Sequence, residues 1–248
     1  MELLIKNIPF MLSIMKKLQL SIFATVSGII ILILSTVSSI YASDNINPGV
    51  FPPDSKPYGL TYGEWSIKWW RWYVSIPQDS NPANDDTGKN CAIGQKDTNV
   101  WFLAGTGGGS SERSCAIPAR KAILIPIINA ECSYATDPIA KTESEMHACA
   151  MSANEGASVQ ATVDGKQLQN LDKYRVQSLL FNVTFPENNI FGVKAGFSPM
   201  LSDGWWILLE PLAAGNHNVH FSGVVRDNPT TGTKGFATET TYHLKVNP

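Results

Sequence analysis

Residues 61–76, TYGEWSIKWWRWYVSI, hold four of the seven tryptophans of the chain and predict one helix. Thr61 and Glu64 have the three-residue spacing of a capping box, in which each side chain bonds the backbone of the other residue. Pro77 disfavours helical geometry in the residue before it. We therefore expect a helix that begins after Thr61 and ends near Ser75.

The side chains of this helix divide unevenly around its axis. At about 100° per residue, apolar and aromatic side chains cover most of the circumference. The remaining polar stripe consists of Glu64, Lys68, Arg71 and Ser75. A helix with so little polar surface is normally buried, so we expect the tryptophans to supply a large part of the core. In the alternative interpretation, part of the aromatic face, with Trp70 as a candidate, is a ligand platform.

The first 42 residues have the layout of an export signal. Lys16 and Lys17 precede an uncharged run over residues 18–40, and small residues follow around Ala42. The run is also long enough, at about 20 apolar residues, to span a bilayer, so an uncleaved membrane anchor is the competing interpretation. Either way, the remaining chain is predicted to be secreted or to face outward at the cell surface.

The chain after residue 42 suits one domain. Residues 43–58 hold four prolines without periodicity and predict a linker or extended arm, and residues 59–248 are long enough for a single domain with a substantial core. Removing residues 1–42 removes three of 19 basic and one of 21 acidic residues, which leaves a net charge of −4. This charge, without a basic stripe, argues against nucleic-acid binding. Membrane contact is expected only through residues 18–40, if they are uncleaved.

Four cysteines follow the export segment: Cys91, Cys115, Cys132 and Cys149. An even number outside the reducing compartment predicts two disulfides, for which three connectivities exist. The sequential pairing, Cys91 with Cys115 and Cys132 with Cys149, is favoured because each bond would close one local loop. A zinc site is disfavoured, because the cysteines form no C-x-x-C pair and no histidine lies at ligand spacing from them.

The apolar pattern from residue 99 onward is typical of an antiparallel β-sandwich, Ig-like or jelly-roll-like, which carries the aromatic-rich N-terminal helix and a second short helix. Alternating or continuous apolar segments recur about every dozen residues between turn signals. The predicted strands cover residues 99–104, 114–117, 122–129, 156–163, 166–168, 174–185, 204–209, 217–225 and 236–246.

Four local features make this prediction more specific. Residues 105–113, GTGGGSSER, are expected to form a flexible hairpin loop. Pro126, inside an apolar strand, indicates an edge position or a bulge. The Asp-Gly pair at residues 164–165 predicts a type I′ turn between two strands. The second helix is expected over residues 137–153, with Asp137 as its N-cap.

Five motifs distributed along the chain carry a resemblance to known proteins. They are YGEWSIKWWRW at residues 62–72, NCAIGQ at 90–95, VWFLAGT at 100–106, CAIPARKAILIPIINAEC at 115–132 and ATVDGKQL at 161–168. Together they resemble a family of exported bacterial and archaeal proteins that have no assigned activity. The similarity runs from about Tyr58 to Val246, and the G-E-W-S-x-x-W-W-x-W helix motif is fairly specific. The resemblance implies a shared fold and export, and it supplies neither a mechanism nor a catalytic residue.

No catalytic residue is predicted. No serine lies in a G-x-S-x-G motif. Glycoside hydrolysis needs two carboxylates across a cleft, about 5–10 Å apart. Glu64, Glu131 and Glu210 are the acids nearest to apolar segments, and an extracytoplasmic hydrolase with a cleft near Glu64 is the alternative function. A third hypothesis is a structural surface protein anchored in the membrane by residues 18–40.

No metal or cofactor is predicted. The polar loop at residues 78–90 contains several possible calcium ligands, but it lacks EF-hand spacing and a closing glutamate. The glycine-rich segment lacks the GK[ST] ending of a phosphate-binding loop. Glu143 and His147 lie one helical turn apart, where a solvated ion pair is the ordinary explanation.

Binding without catalysis is the favoured function. Trp205 and Trp206 are adjacent in a predicted strand and face opposite sides, so at least one is a candidate to face outward. Together with Trp70, Arg71 and Glu64 of the helix, they are the candidate binding residues. The sequence thus predicts an exported β-sandwich domain that binds a carbohydrate, a cell-envelope component or a protein partner.

Overall fold

Helix α1 spans Tyr62–Ser75 and confirms the helix predicted from the tryptophan-rich segment. The hydroxyl of Thr61 accepts a hydrogen bond from the backbone N–H of Glu64, and the carboxylate of Glu64 accepts one from the backbone N–H of Thr61. At the other end, Ile76 has an extended conformation. The capping box and Pro77 therefore define the two ends of the helix.

The computed structural model describes residues 46–227 and 234–248. The predicted signal peptide or membrane anchor lies outside the described residues. No helix within those two ranges is long and apolar enough to cross a membrane. The described part of the predicted linker packs against the domain, since the backbone N–H of Phe51 donates a hydrogen bond to the carbonyl oxygen of Leu208 at 2.9 Å.

The fold is mainly β, as predicted, with two five-stranded sheets in a sandwich-like arrangement. Within the described residues the strands are β1 Val100–Phe102, β2 Gly109–Ile117, β3 Ala122–Ser133, β4 Ser158–Val163, β5 Lys166–Gln167, β6 Arg175–Gln177, β7 Phe181–Phe185, β8 Gly196–Leu209, β9 Gly215–Val225 and β10 Phe236–Val246. The first sheet has the order β1–β3–β8–β6, with β7 also paired to β8, and the second has the order β2–β10–β9–β4–β5. The pairs β1–β3 and β2–β10 are parallel, so both sheets are mixed rather than purely antiparallel.

The aromatic residues of α1 form the core between this helix and the first sheet. The ring of Trp69 lies 5.2 Å from that of Trp206 on β8, in an edge-to-face arrangement. The hydroxyl of Tyr62 donates to the carbonyl oxygen of Phe51 and accepts from the backbone N–H of Leu208. Such buried aromatic residues each remove roughly 150–250 Å² from water. The helix is therefore part of the architecture, as its narrow polar stripe predicts.

The second helix, α2, spans Glu143–Ala153 and begins later than predicted. Its N-cap is Thr142, which forms a capping box with Glu145. The prediction of Asp137 as N-cap is wrong. The physical reason is that Thr142 and Glu145 together satisfy two backbone N–H groups, whereas Asp137 begins a turn that ends at Ala140.

The predicted hairpin around the glycine-rich segment is wrong. Strand β1 pairs with β3 in the first sheet, and β2 pairs with β10 in the second, so the chain crosses between sheets at this point. Residues 109–113, expected in the loop, belong to β2. Ser111 and Arg113 on this strand face inward and are buried. Their polar character concealed the alternation that a strand normally has in its sequence.

Other local predictions are confirmed. The register of β3 against β8 shifts between Pro126 and Ile128, which is the predicted bulge. Asp164 and Gly165 have φ values of 50° and 75°, as the type I′ turn between β4 and β5 requires. The predicted strand over residues 174–185 divides into β6 and β7.

Both disulfides have the predicted sequential pairing. The bond between Cys91 and Cys115 ties the loop after α1 to β2, and the bond between Cys132 and Cys149 ties α2 to β3. Disulfides persist in oxidising compartments. The two bonds therefore indicate an extracytoplasmic environment.

Candidate functional site

The carboxylate of Glu64 is occupied by the capping box. Its Oε2 atom accepts hydrogen bonds from the backbone N–H and the hydroxyl of Thr61, at 2.8 and 2.9 Å. These bonds, with the charge of Lys56, hold the pKa of Glu64 below its usual value. Among the described residues, those that line the depression beside Glu64 include no second carboxylate. The geometry at Glu64 thus offers no acid pair for glycoside hydrolysis.

The basic residues of the polar stripe tie α1 to its neighbours. The Nε atom of Arg71 donates a hydrogen bond to the backbone carbonyl of Asn182 at 3.2 Å, and the guanidinium group lies over the ring of Phe181. The ammonium group of Lys68 pairs with the carboxylate of Asp97 at 2.7 Å. These contacts account for both residues as surface anchors of the helix.

Neither Trp205 nor Trp206 faces solvent. Trp206 packs against Trp69 of α1, and the guanidinium group of Arg175 covers the ring of Trp205 at 4.7 Å from its centroid. All seven tryptophans of the chain are at most 6% exposed. A binding surface made of exposed tryptophans is therefore absent from the described part of the chain.

Other aromatic rings converge in a cleft of about 160 Å³ beside the C-terminal half of α1, which we call the aromatic cleft. It is lined by Trp69, Trp70, Tyr73, Gly105, Thr106, Gly107, Pro126, Ile127, Ile128, Asn129, Phe191, Phe236 and Thr238. Helix α1, the crossing between β1 and β2, the bulge of β3 and the start of β10 meet there. Of the candidate binding residues predicted from the sequence, this cleft contains Trp70 alone.

The aromatic cleft has a buried aromatic layer and more exposed rings. Trp69 stacks on Tyr73, with ring centroids 4.7 Å apart, and Trp70 lies nearly parallel to Phe191, with centroids 6.5 Å apart. Phe191 and Phe236 are 37% and 39% exposed, whereas Trp69 and Trp70 are buried. The ring faces available to a ligand are thus mainly those of the two phenylalanines and, in part, of Tyr73.

Three polar groups of the aromatic cleft have no partner within residues 46–227 and 234–248. The indole N–H of Trp70 is buried and forms no hydrogen bond. The phenolic hydroxyl of Tyr73 and the side-chain amide of Asn129 likewise form none with any described residue. Burial raises the pKa of Tyr73, so its hydroxyl is a neutral donor at physiological pH. Among the described residues, the lining contains no charged side chain.

The wall of the aromatic cleft is held in place by Arg113. One terminal nitrogen of its guanidinium group donates to the carbonyl oxygens of Ala104 and Gly105, at 2.6 and 3.2 Å. Thr106 and Thr238 close the same wall, where the Thr238 hydroxyl donates to the carbonyl oxygen of Thr106. The glycine-rich segment is therefore fixed at the cleft, although its composition predicts a flexible loop.

Two further acids predicted to be shielded have different environments. Glu210 is exposed. Glu131, on β3, has a buried Oε2 atom without a hydrogen-bond partner. Burial, together with the negative charge of Asp137, raises the pKa of Glu131 to about 7, although the hydroxyls of Thr136 and Ser133 offset part of this effect. Glu131 does not line the aromatic cleft.

The acids of the polar loop at residues 78–90 accept hydrogen bonds within turns and from a neighbouring segment. Asp85 accepts hydrogen bonds from Thr87 and from the backbone N–H of Asn90. The carboxylate of Asp79 accepts one from the side-chain amide of Asn188. These acids therefore have partners within the protein.

Within the described ranges, no histidine belongs to a group of three potential metal ligands. The Nε2 atom of His147 lies 3.8 Å from Oε1 of Glu143, so the two residues contact each other one helical turn apart, as predicted from their spacing. Among the described residues, the one group of three potential ligands is Cys132, Asp137 and Cys149, and its two cysteines are joined in a disulfide. Oxidised cysteines offer no thiolate to a metal.

No family model, curated protein or solved structure matches the chain. The resemblance to an exported bacterial and archaeal family therefore stays a hypothesis. Sequence reasoning missed Tyr73, Asn129, Phe191 and Phe236 as cleft residues. Tyr73 lies on the aromatic face of the helix that the sequence predicts to be buried. Nothing in the local sequence around Phe191 or Phe236 distinguishes an exposed phenylalanine from a buried one.

Proposed function

We propose that this protein is an extracytoplasmic, non-catalytic binding domain whose aromatic cleft binds a neutral carbohydrate. The observation that carries the proposal is the combination of exposed ring faces with unpartnered neutral polar groups in one concave site. Ligand sites are typically apolar clefts with a few polar groups that fix the orientation of the ligand. The aromatic cleft has this composition.

The chemistry of the lining favours a sugar over other small ligands. The apolar C–H face of a pyranose ring can pack on Phe191 and Phe236, because aromatic rings offer large, rigid apolar surfaces. Its hydroxyls can exchange hydrogen bonds with Tyr73 and Asn129, whose polar groups have no partner in the described parts of the chain. The absence of charged groups from the lining argues against an ionic ligand, which would lose its hydration without compensation.

The proposal includes the cellular location. We infer that residues 1–42 direct export and that the domain is secreted or displayed at the cell surface, which the two disulfides support. Anchoring through residues 18–40 is the alternative to cleavage. The N-terminal mass of the protein isolated from its membrane and secreted fractions distinguishes the two.

Calorimetric titration with a panel of neutral oligosaccharides of glucose, mannose and N-acetylglucosamine tests the binding proposal. At least one probe is expected to bind and to change the tryptophan fluorescence of the protein, because Trp69 and Trp70 line the cleft. Phe191→Ala should weaken binding about tenfold, since the lost ring contact is of the order of 1.4 kcal/mol. Phe197→Ala is the control, because Phe197 is an exposed phenylalanine, at 69%, that lies outside the cleft.

Equal affinity of the Phe191→Ala and Phe197→Ala variants would place binding elsewhere and overturn the proposal. Failure of every sugar to bind would equally overturn it and would favour the protein-partner hypothesis. Hydrolysis of a bound probe would contradict the non-catalytic assignment. If a probe were cleaved, the Glu64→Gln variant would test the hydrolase alternative.

A further inference from the structure

A second cavity adjoins the aromatic cleft. It has a volume of about 450 Å³ and is lined by Ile128, Asn129, Ala130, Cys149, Ser152, Ala153, Asn154, Val225, Lys234 and Phe236. We call it the helix cavity, because the C-terminal turn of α2 forms one side. Ile128, Asn129 and Phe236 line both spaces. The two spaces are therefore neighbours that meet at these three residues.

The junction carries groups suited to an extended ligand. Phe236 is 39% exposed and stands at the start of β10, where its backbone pairs with that of Val225. The amide of Asn129 has no hydrogen-bond partner in the described chain, and Asn129 lines both spaces. A chain molecule that crosses the junction would thus contact an aromatic ring on one unit and an amide beside it.

The helix cavity has firmly held walls. The disulfide between Cys132 and Cys149 fixes α2 to β3, the strand that supplies Asn129. At the end of α2, the side-chain amide of Asn154 donates to the carbonyl oxygen of Asp203 at 2.7 Å. A cavity with walls fixed in this way is preorganised, which lowers the entropic cost of binding.

The sizes of the two spaces also favour joint use. Ligand sites for small molecules typically measure about 300–1,000 Å³. The aromatic cleft alone, at about 160 Å³, is below this range, whereas the helix cavity, at about 450 Å³, lies within it. A ligand confined to the aromatic cleft would therefore be smaller than those that such sites usually hold, which favours use of the helix cavity as well. Among the described residues, the helix cavity lining includes the cation Lys234 but no carboxylate, and hydroxyl or amide groups supply the rest of its polarity.

We infer that the ligand is a linear oligosaccharide that lies across Phe236, with one sugar unit in the aromatic cleft and the following units in the helix cavity. This inference rests on the proposed function, since it assigns a chain length to the carbohydrate bound there. The aromatic cleft anchors one unit through ring contacts. The helix cavity adds affinity only for ligands long enough to pass the junction.

The test compares a monosaccharide with a hexamer of the same neutral sugar, glucose, mannose or N-acetylglucosamine, by calorimetric titration. The wild-type protein is expected to bind the hexamer at least tenfold more tightly than the monosaccharide. Ala153→Trp, which places a large ring in the helix cavity, should abolish this gain and leave monosaccharide affinity unchanged. Met151→Trp is the control, because Met151 is exposed on the same helix and lines neither space.

The outcomes distinguish failure of the extended site from failure of the proposed sugar-binding function. Equal affinity for monosaccharide and hexamer, or a full gain retained by Ala153→Trp, would overturn the extended site while leaving a sugar site in the cleft. The same loss in Met151→Trp would overturn it too, because the effect would then not come from the cavity. Binding of neither length would overturn the proposed function and this inference with it.

Discussion

Arg113 is 1% exposed, and its guanidinium group forms several hydrogen bonds inside the sandwich. It donates to the carbonyl oxygens of Ala83, Asp85 and Ala104, and to the hydroxyl of Tyr242. A buried charge is tolerated only when its donors are satisfied, and arginine has five N–H groups to satisfy. Because its partners come from segments far apart in the chain, this role could not be predicted from the sequence around Arg113.

Glu131 gives a prediction about pH at the same scale. Its pKa is about 7 in the folded protein and 4.5 as a free side chain, so between these values the folded state holds a proton that the unfolded state has lost. The free energy of unfolding should therefore fall as the pH rises from 4.5 to 7, by at most about 1.4 kcal/mol per pH unit from this group. Glu131→Gln should remove this contribution.

Urea denaturation of the wild type and of Glu131→Gln across this pH range measures the effect. Glu210→Gln is the control, because Glu210 is an exposed glutamate of the same chain. The assignment fails if wild type and Glu131→Gln have parallel stability curves between pH 4.5 and 7.

At the scale of elements, the ends of α1 depend on a few side chains. Loss of the Thr61 hydroxyl in Thr61→Ala should reduce the free energy of unfolding by about 1 kcal/mol, because the backbone N–H of Glu64 loses its acceptor. Thr61→Asp should retain most of the stability, since a carboxylate also accepts at the N-cap. Urea denaturation of both variants measures the free energy of unfolding. Equal losses of stability in Thr61→Ala and Thr61→Asp would show that the missing N-cap acceptor does not cause the loss.

The elements that sequence predicts well are those whose signals are local. Helix α1 has its capping box and Pro77 within the segment itself, and the turn at residues 164–165 is set by its own Asp-Gly pair. The sequence did not predict the first half of strand β2, because Ser111 and Arg113 face inward although they are polar. Their burial depends on hydrogen-bond partners elsewhere in the chain. For α2, the sequence prediction placed the N-cap at Asp137, whereas the capping box of Thr142 with Glu145 begins the helix five residues later.

At the scale of the whole molecule, the two sheets approach closely where Gly223 of β9 faces Ile128 of β3. A Cβ atom at Gly223 would lie 2.5 Å from the Cβ atom of Ile128, so a side chain there would force the sheets apart. Gly223→Ala should lower the free energy of unfolding by about 1–3 kcal/mol through overpacking. Ile128 lines both proposed sugar spaces, so hexamer affinity should fall as well.

Thermal and urea denaturation measure the stability of Gly223→Ala, and calorimetric titration measures its affinity for the hexamer. Gly107→Ala is the control for stability, because an added Cβ atom there meets no atom within 4 Å. A Gly223→Ala variant as stable as Gly107→Ala would contradict the close approach of the sheets.

The candidate site could be predicted only in part, because it is a property of the whole molecule. The sequence indicated Trp70 as a binding residue, because it lies in a helix segment rich in tryptophan. Asn129, Phe191 and Phe236 come from three separate segments and meet through the pairing of the strands and the bulge in β3. Arg71 and Glu64, although on the same helix as Trp70, point to other neighbours.

The position of β10 has a consequence for the order in which the protein folds. This strand lies between β2 and β9 in the second sheet, and its partner β2 precedes it by more than a hundred residues in the chain. The second sheet therefore cannot be completed during synthesis until β10 has emerged from the ribosome. Until then, β2 and β9 each have an unpaired edge. Contacts this distant in sequence slow folding. Because the second sheet stays open until β10 is available, the unpaired strand edges remain exposed for longer, and such edges can pair with another chain.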